Sequence, residues 1–342
     1  VRVLLLDVDS KIPNIALGRL STFYKGRGAE VEYRHLGFSA YPRGSKAVRV
    51  LGAGFDRVFA SVTFAKNRDR FAVLGGGPLM VGGVGSAKPR RRLPVEVDAC
   101  EVDYSLWPDN DASYGFMTRG CVRKCPFCMV PKAEGGIRFE RDPDDIIRHD
   151  KVLFLDNNFL AWDGHLEMLG RLADRGTACD FNQGLDIRLV NEENAAALAR
   201  LNYINEYVFA FDDLRLERQV ARGLATFRRH VPRKWATKFF VYHDAETMDP
   251  AETIYRVFWL KAREALPYVM RNSNYLTSPD RELLVDFTAW ANQPHHFKNQ
   301  SFSKYMVRTR YYMNLKRVKR VLDAYRAARS RMGADPEKGG WK

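Results

Sequence analysis

The sequence predicts an α/β protein: a Rossmann-like N-terminal domain, then an open or closed parallel barrel of six strand–helix units, then a basic helical extension. Three observations carry this prediction. Short β-rich runs alternate with helical or glycine-rich connections over the first hundred residues, a regular strand–helix alternation sets in after residue 112, and Lys and Arg crowd the C-terminal stretch. A chain of 342 residues is long enough for two domains, and 46% hydrophobic with 28% charged residues describes a well-cored chain rather than extended disorder.

The first domain, 1–105, opens on VRVLLLD (1–7), a buried strand too short in its apolar run to be a signal peptide. Helical spacing of Ile15, Leu17, Leu20 and Phe23 follows in 13–28, then strand runs at 31–35 and 57–64. Strands alternating with helices imply a mostly parallel sheet covered by helices on both faces. The glycines of GGGPLMVGGVGS (75–86) lack the G-x-G-x-x-G order of a dinucleotide site. Gly82, Gly83 and Gly85 instead suit a strand end that turns tightly or a close backbone approach. The segment 95–112, with Pro108 and DND, reads as the linker.

In the second domain, 106–295, strands are expected at 113–119, 151–156, 178–183, 206–212, 238–244 and 266–270, with helical patterns between them. Asp142, Asn191, Asp249 and Ser278 stand as N-caps, three of them followed by proline. Ligands of such an array gather at the C-terminal ends of its strands. No apolar run approaches the roughly 20 residues of a membrane span, so no membrane partner is expected and the protein reads as cytoplasmic.

Three of the five cysteines fall just after the first of these strands, as C-x3-C-x2-C in MTRGCVRKCPFCMVPKAEGG (117–136). A structural zinc site wants four ligands, and only Cys125 and Cys128 form a C-x2-C pair. A ferredoxin cluster likewise wants four cysteines. Three thiolates on one loop, Cys121, Cys125 and Cys128, hold three irons of a cubane and leave the fourth open. Cys100 and Cys179 stand alone and read as buried small hydrophobes.

CVRKCPFC (121–128), with aromatic Phe127 before its last cysteine, resembles the signature of the radical S-adenosylmethionine superfamily, in the subgroup with a cobalamin-binding-like N-terminal domain. The resemblance implies a (β/α)6 partial TIM barrel and a [4Fe–4S] cluster on Cys121, Cys125 and Cys128. It implies that S-adenosyl-L-methionine chelates the open iron, and that an electron from an external flavodoxin- or ferredoxin-like donor cleaves it to a 5′-deoxyadenosyl radical that abstracts hydrogen from a substrate. FLDNNF (154–159) resembles the second-strand motif that receives the cofactor's amino group, with Asp156, Asn157 and Asn158 in place of Gly-Gly-Glu. FNQGLDIRLV (181–190) resembles the third-strand region, where Asn182, Gln183, Asp186 and Arg188 aim at cofactor or substrate, or where Asp186 and Arg188 make a structural pair. In FAFDD (209–213), the resemblance offers Asp212 and Asp213 as acceptors for ribose hydroxyls. FVYHDAET (240–247) departs from the glycine-rich adenine-contacting pattern and offers Tyr242 and His243 instead. The likeness covers most of 112–295 and extends to the sixth-strand approach at 255–270.

Cobalamin-using relatives carry D-x-H-x-x-G in the first domain. Here the region reads DVDSKIPNIALG (7–18), without histidine, and His35 has no matching context. Cobalamin is therefore not favoured, and a degenerate domain covering the barrel mouth is expected.

Net charge is +14, with a cluster KPRRR at 88–92 and eleven Lys and Arg between Lys298 and Arg331 against one acid, Asp323. Tyr305, Tyr311 and Tyr312 interleave with these in the extension, 296–342, as a single-stranded RNA platform would have them, or the helix docks by its stripe of Val318, Val321, Leu322 and Tyr325. The expected enzyme modifies a nucleic acid or nucleoside in preference to a peptide or metabolite. A cobalamin-dependent methyltransferase is the second reading, and a nucleic-acid-binding protein with a structural metal site, using Cys100, Cys179 or a histidine as fourth ligand, is the reading from another class.

Overall fold

The computed structural model describes residues 1–38, 47–89, 91–310 and 314–331. Its architecture is α/β with several parallel sheets, in two compact units, Val1–Leu155 and Asp156–Lys342.

The first unit begins β1 (Arg2–Asp7), α1 (Ile15–Lys25), β2 (Glu30–His35), β3 (Val48–Leu51), β4 (Arg57–Ser61), β5 (Phe71–Leu74), β6 (Leu79–Gly82) and α2 (Val95–Asp98). Four strands make one parallel sheet in the order β2-β1-β4-β6. β1 sits inside it because its run is apolar on both faces. Val3 and Leu5 pack with Leu17 and Leu20 of α1, while Leu4 and Leu6 pack with Val50, Phe55 and Val58. Among the described residues, helices cover only the first of those faces. The second is covered by the small parallel pair β3–β5, whose alternating VRVL and FAVL turn Val50 and Val73 inward.

β4 ends at Ser61, short of the expected 64, because the amides of Thr63 and Phe64 are taken by the Asp9 carboxylate at 2.7 and 3.0 Å. The glycines after β6 do turn tightly: Gly83 has φ +92°, and a Cβ on it would lie 2.3 Å from the Val62 carbonyl oxygen. The stretch expected as a linker packs on this domain instead. Asp103 accepts from Ser21 Oγ at 2.6 Å and Lys25 Nζ at 2.7 Å, and Trp107 Nε1 donates to the Tyr33 hydroxyl at 2.9 Å.

The unit continues with β7 (Ser113–Gly115), β8 (Thr118–Arg119), α3 (Val130–Ala133), β9 (Arg138–Phe139), α4 (Pro143–Ile146) and β10 (Lys151–Phe154). The single strand expected at 113–119 is two. β7 pairs in parallel with β10, whereas β8 pairs antiparallel with β9 and closes a loop over the cysteines.

The second unit contains α5 (His165–Arg175), β11 (Ala178–Phe181), α6 (Glu192–Ala199), β12 (Tyr207–Ala210), α7 (Glu217–His230), β13 (Thr237–His243), α8 (Pro250–Ala262), β14 (Leu266–Arg271), α9 (Arg281–Ala291), α10 (Pro294–Asn299), α11 (Phe302–Arg310) and α12 (Leu315–Arg331). β12, β13 and β14 form a parallel sheet in chain order. Five of the six strands expected after residue 112 are formed as single strands, the first being split, and among the described residues their ladders do not close into a barrel. Asp142, Asn191 and Asp249 cap their helices through the amides of Asp144, Asn194 and Ala251. Ser278 does not cap: its Oγ accepts from Asp280 N, and the helix starts later, at Arg281.

α12 docks on α8 and α9 by the stripe Val318, Val321, Leu322, Tyr325 and Ala328. Arg317 pairs with Asp286 at 2.9 Å, Arg320 with Glu282 at 2.9 Å and Arg331 with Asp249 at 2.8 Å. Tyr305 is 1% exposed beside Phe302 and His296, so it cannot stack on a nucleobase. Arg90, Tyr311, Tyr312 and the tail DPEKGGWK lie outside the described residues. No described helix is long and apolar enough to cross a membrane.

Candidate functional site

The cysteine loop runs from the end of β8 to the start of β9 in the first unit. Glycine at 120 is dictated by the backbone: φ is +83°, and a Cβ there would lie 2.1 Å from the Gly136 carbonyl oxygen. Glu134 draws the two ends of the loop together, accepting from Arg119 Nη1 at 2.8 Å and from the Gly120 amide at 3.0 Å. Cys121 N donates to Gly135 O at 3.2 Å, and Cys128 N donates to Cys125 O at 3.0 Å, turning the chain between the second and third cysteines.

All three cysteines are partly buried. Arg123 N donates to Cys121 Sγ at 3.3 Å. Around them Val122, Phe127 and Met129 are exposed. Among the described residues, no three or more His, Cys, Asp or Glu side chains are gathered as ligands of one metal ion.

The lone cysteines differ from each other. Cys179 is fully buried on β11 and burial, then Asp180, pushes its thiol up to about 12, which disfavours the thiolate that a metal requires. Cys100 is only partly buried, against expectation, and its Sγ donates to Glu96 O within α2.

The other anticipated residues fall in the second unit, on its strand ends and the loops that follow. Asp156 and Asn158 are buried and Asn157 is half-buried. Asn158 Nδ2 lies 3.5 Å from Asp186 Oδ2. Asp186 and Arg188 form a two-pronged pair, Nε–Oδ1 at 2.6 Å and Nη2–Oδ2 at 2.9 Å, and Asp186 also accepts the Arg188 amide to cap the turn at 187–189. Gln183 is exposed and makes no part of that pair, while Asn182 is half-buried.

Asp212 lies just past β12 and accepts the Tyr242 amide at 2.8 Å. Burial pushes its carboxyl up to about 6, against the pull of that amide and of Arg256 and Arg188. Asp213 is different. It is held below the usual carboxylate range by Arg215, which it grips at 2.5 Å, and it caps the following turn.

Residues 242–244 alternate as strand geometry requires. His243 points inward, is fully buried, and shares Nδ1 with Thr253 Oγ1 at 2.8 Å. Burial and Arg256 hold it down at about 4, so it is neutral. Tyr242 remains half-buried. Asp244, unanticipated, accepts from Asn272 and Asn274 and is held at about 2 by those bonds.

Arg256 is the residue that sequence reasoning missed. From α8 it donates to Phe211 O at 2.8 Å and Tyr242 O at 2.9 Å, tying the ends of β12 and β13 while fully buried. The signal was present: one arginine in the apolar run IYRVFWL, on the helix face that packs inward.

Among known proteins, no family model and no curated sequence matches the chain.

Proposed function

We propose that the protein is a radical S-adenosylmethionine enzyme whose [4Fe–4S] cluster is held by Cys121, Cys125 and Cys128, with the strands from β7 to β14 serving as a partial barrel. The observation that carries the reading is the cysteine loop. Three thiols share eight residues that a glycine, a glutamate clamp and a backbone amide aimed at sulfur hold in place.

The donor set fits the group: sulfur ligands only, three of them, beside exposed apolar side chains that would keep water from a bound cofactor. The cluster and S-adenosylmethionine would supply one-electron cleavage of a carbon–sulfur bond and hence hydrogen abstraction. The chain's own residues would bind and orient. Asp156, Asn157 and Asn158 offer carboxylate and amide oxygens to an ammonium, and Asp186 fixes Arg188 where it can meet a carboxylate. Asp212, with its carboxyl near neutrality, would accept a hydroxyl hydrogen bond. Gln183 remains available to solvent-borne substrate.

An anionic substrate, nucleic acid or nucleoside before peptide or metabolite, agrees with the +14 charge. Two facts narrow the RNA surface on α11 and α12: Tyr305 of α11 is buried, and Arg317, Arg320 and Arg331 of α12 already hold carboxylates. The cobalamin-dependent variant stands second. A hollow of about 410 Å³ under α1, lined by Leu17, Phe23, Phe59 and Met80, favours it. Against it, no histidine follows β1, and the loop there is filled by its own polar side chains, Asp9 with Asn67 and Asn14 with Ser10 and Ser61.

Iron and sulfide analysis after anaerobic reconstitution tests the ligand set. About four irons per chain, lost in Cys121→Ala and Cys128→Ala but kept in Cys100→Ala and Cys179→Ala, is the expected result. Loss of metal in Cys100→Ala would favour a four-ligand structural site and the binding-protein reading.

A further inference from the structure

The first unit contains a second place where charge is gathered: a cleft of about 200 Å³ between the start of α1, the loop after β6 and the strands that bracket the cysteine loop. Five arginines line it, Arg19, Arg91, Arg92, Arg119 and Arg138, against three carboxylates, Asp98, Glu134 and Glu140. The carboxylates are already engaged. Asp98 pairs with Arg19, Glu134 pairs with Arg119 at 2.8 Å, and Glu140 lies 3.7 Å from Arg119 and 3.7 Å from Arg138. Two positive charges are left over. Arg91 finds only the Met80 thioether at 3.2 Å, and Arg92 has no carboxylate partner among the described residues.

Two further features converge on the same space. Arg19 is 7% exposed, yet its Nε, a strong donor, has no hydrogen-bond partner among the described residues. Ile15 and Ala16, the first turn of the 11-residue α1, also line the cleft, and that turn contains no acidic residue to offset the positive end of the helix. Burial, then the neighbouring Arg141, holds the Arg19 guanidinium below its ordinary range against the pull of Asp98, and Arg119 adds to that crowding.

We propose that this cleft is a binding site for a dianionic phosphate group, a phosphate monoester or diphosphate end of a ligand. The magnitudes select the class. An excess of two arginines matches the roughly −1.5 to −2 charge of a phosphate monoester at pH 7, whereas a carboxylate or one phosphodiester supplies a single charge. Planar guanidinium forks and a helix N-terminus are the donors that such oxygens take in pairs. The site is independent of the proposed reaction, because it needs neither the cluster nor S-adenosylmethionine.

The test is calorimetric titration of the full-length chain, without cluster, with inorganic pyrophosphate, then with a 5′-hydroxyl oligoribonucleotide that presents phosphodiesters only. Saturable pyrophosphate binding, weakened tenfold or more in Arg91→Ala/Arg92→Ala, two exposed positions whose loss leaves the fold intact, is the expected outcome. Arg19→Lys should weaken it as well, with the circular dichroism spectrum unchanged. Binding that is absent, or equal in wild type and Arg91→Ala/Arg92→Ala, overturns the site. An oligoribonucleotide that outcompetes pyrophosphate overturns its assignment to a dianion.

Discussion

Gly120 lies so close to Gly136 that a Cβ on the first would stand 2.1 Å from the carbonyl oxygen of the second, at a φ of +83° that side chains rarely adopt. The three cysteines therefore depend on a backbone crossing that no other residue type can make. Gly120→Ala should lower reconstituted iron several-fold while far-UV circular dichroism is unchanged, since the strain of about 1–3 kcal/mol falls on the loop alone. Gly136→Ala is the control. A Cβ there meets nothing within 4 Å, and its iron content should match wild type.

Arg256 is a buried cation whose bonds to Phe211 O and Tyr242 O hold two strand ends. Arg256→Met leaves those carbonyls unsatisfied and should destabilise the protein by about 3 kcal/mol or more in urea unfolding. Arg256→Lys should rescue little, because one ammonium cannot span both carbonyls.

Asp212 sets a pH dependence of known sign. Its folded carboxyl, at about 6, binds its proton more tightly than the unfolded one at 3.8, so the folded state carries more protons between those values. Stability from this group therefore falls as pH rises from about 4 to 6, by a quantity on the order of 2–3 kcal/mol. Asp212→Asn should flatten that part of the stability profile. An unchanged slope would contradict the assignment.

Much of this fold was legible in the sequence because period and punctuation agreed. VRVLLLD was apolar on both faces and became a central strand, and Asp142, Asn191 and Asp249 capped the helices that they precede. What was not legible depended on partners distant in the chain. β4 stops early because Asp9 captures its amides, the 113–119 run splits because its halves pair with different strands, and β3–β5 takes the face expected for helices. The same holds at the candidate site. The cysteine spacing is local and was read directly, whereas Arg256, Glu134 and the arginine cleft acquire meaning only from what the fold brings beside them.

The basic extension shows how charge counts mislead. Arg317→Met removes the partner of Asp286, a residue 2% exposed, and should cost about 1–3 kcal/mol, whereas Lys316→Ala and Lys319→Ala, both exposed, should stay within about 0.5 kcal/mol. Urea unfolding of the three variants separates docking from solvated charge. Any nucleic-acid binding by this face should be weakened by the two lysine variants and show a salt slope that falls with each charge removed.

One anaerobic assay tests the proposed cleavage of S-adenosylmethionine. The full chain is reconstituted with iron and sulfide, mixed with S-adenosylmethionine and a strong reductant, and its products are measured by mass spectrometry beside Cys125→Ala. 5′-Deoxyadenosine is expected from the wild type and none from the variant. A formed cluster on the wild-type chain with the cofactor left unbound and uncleaved would contradict the proposed function.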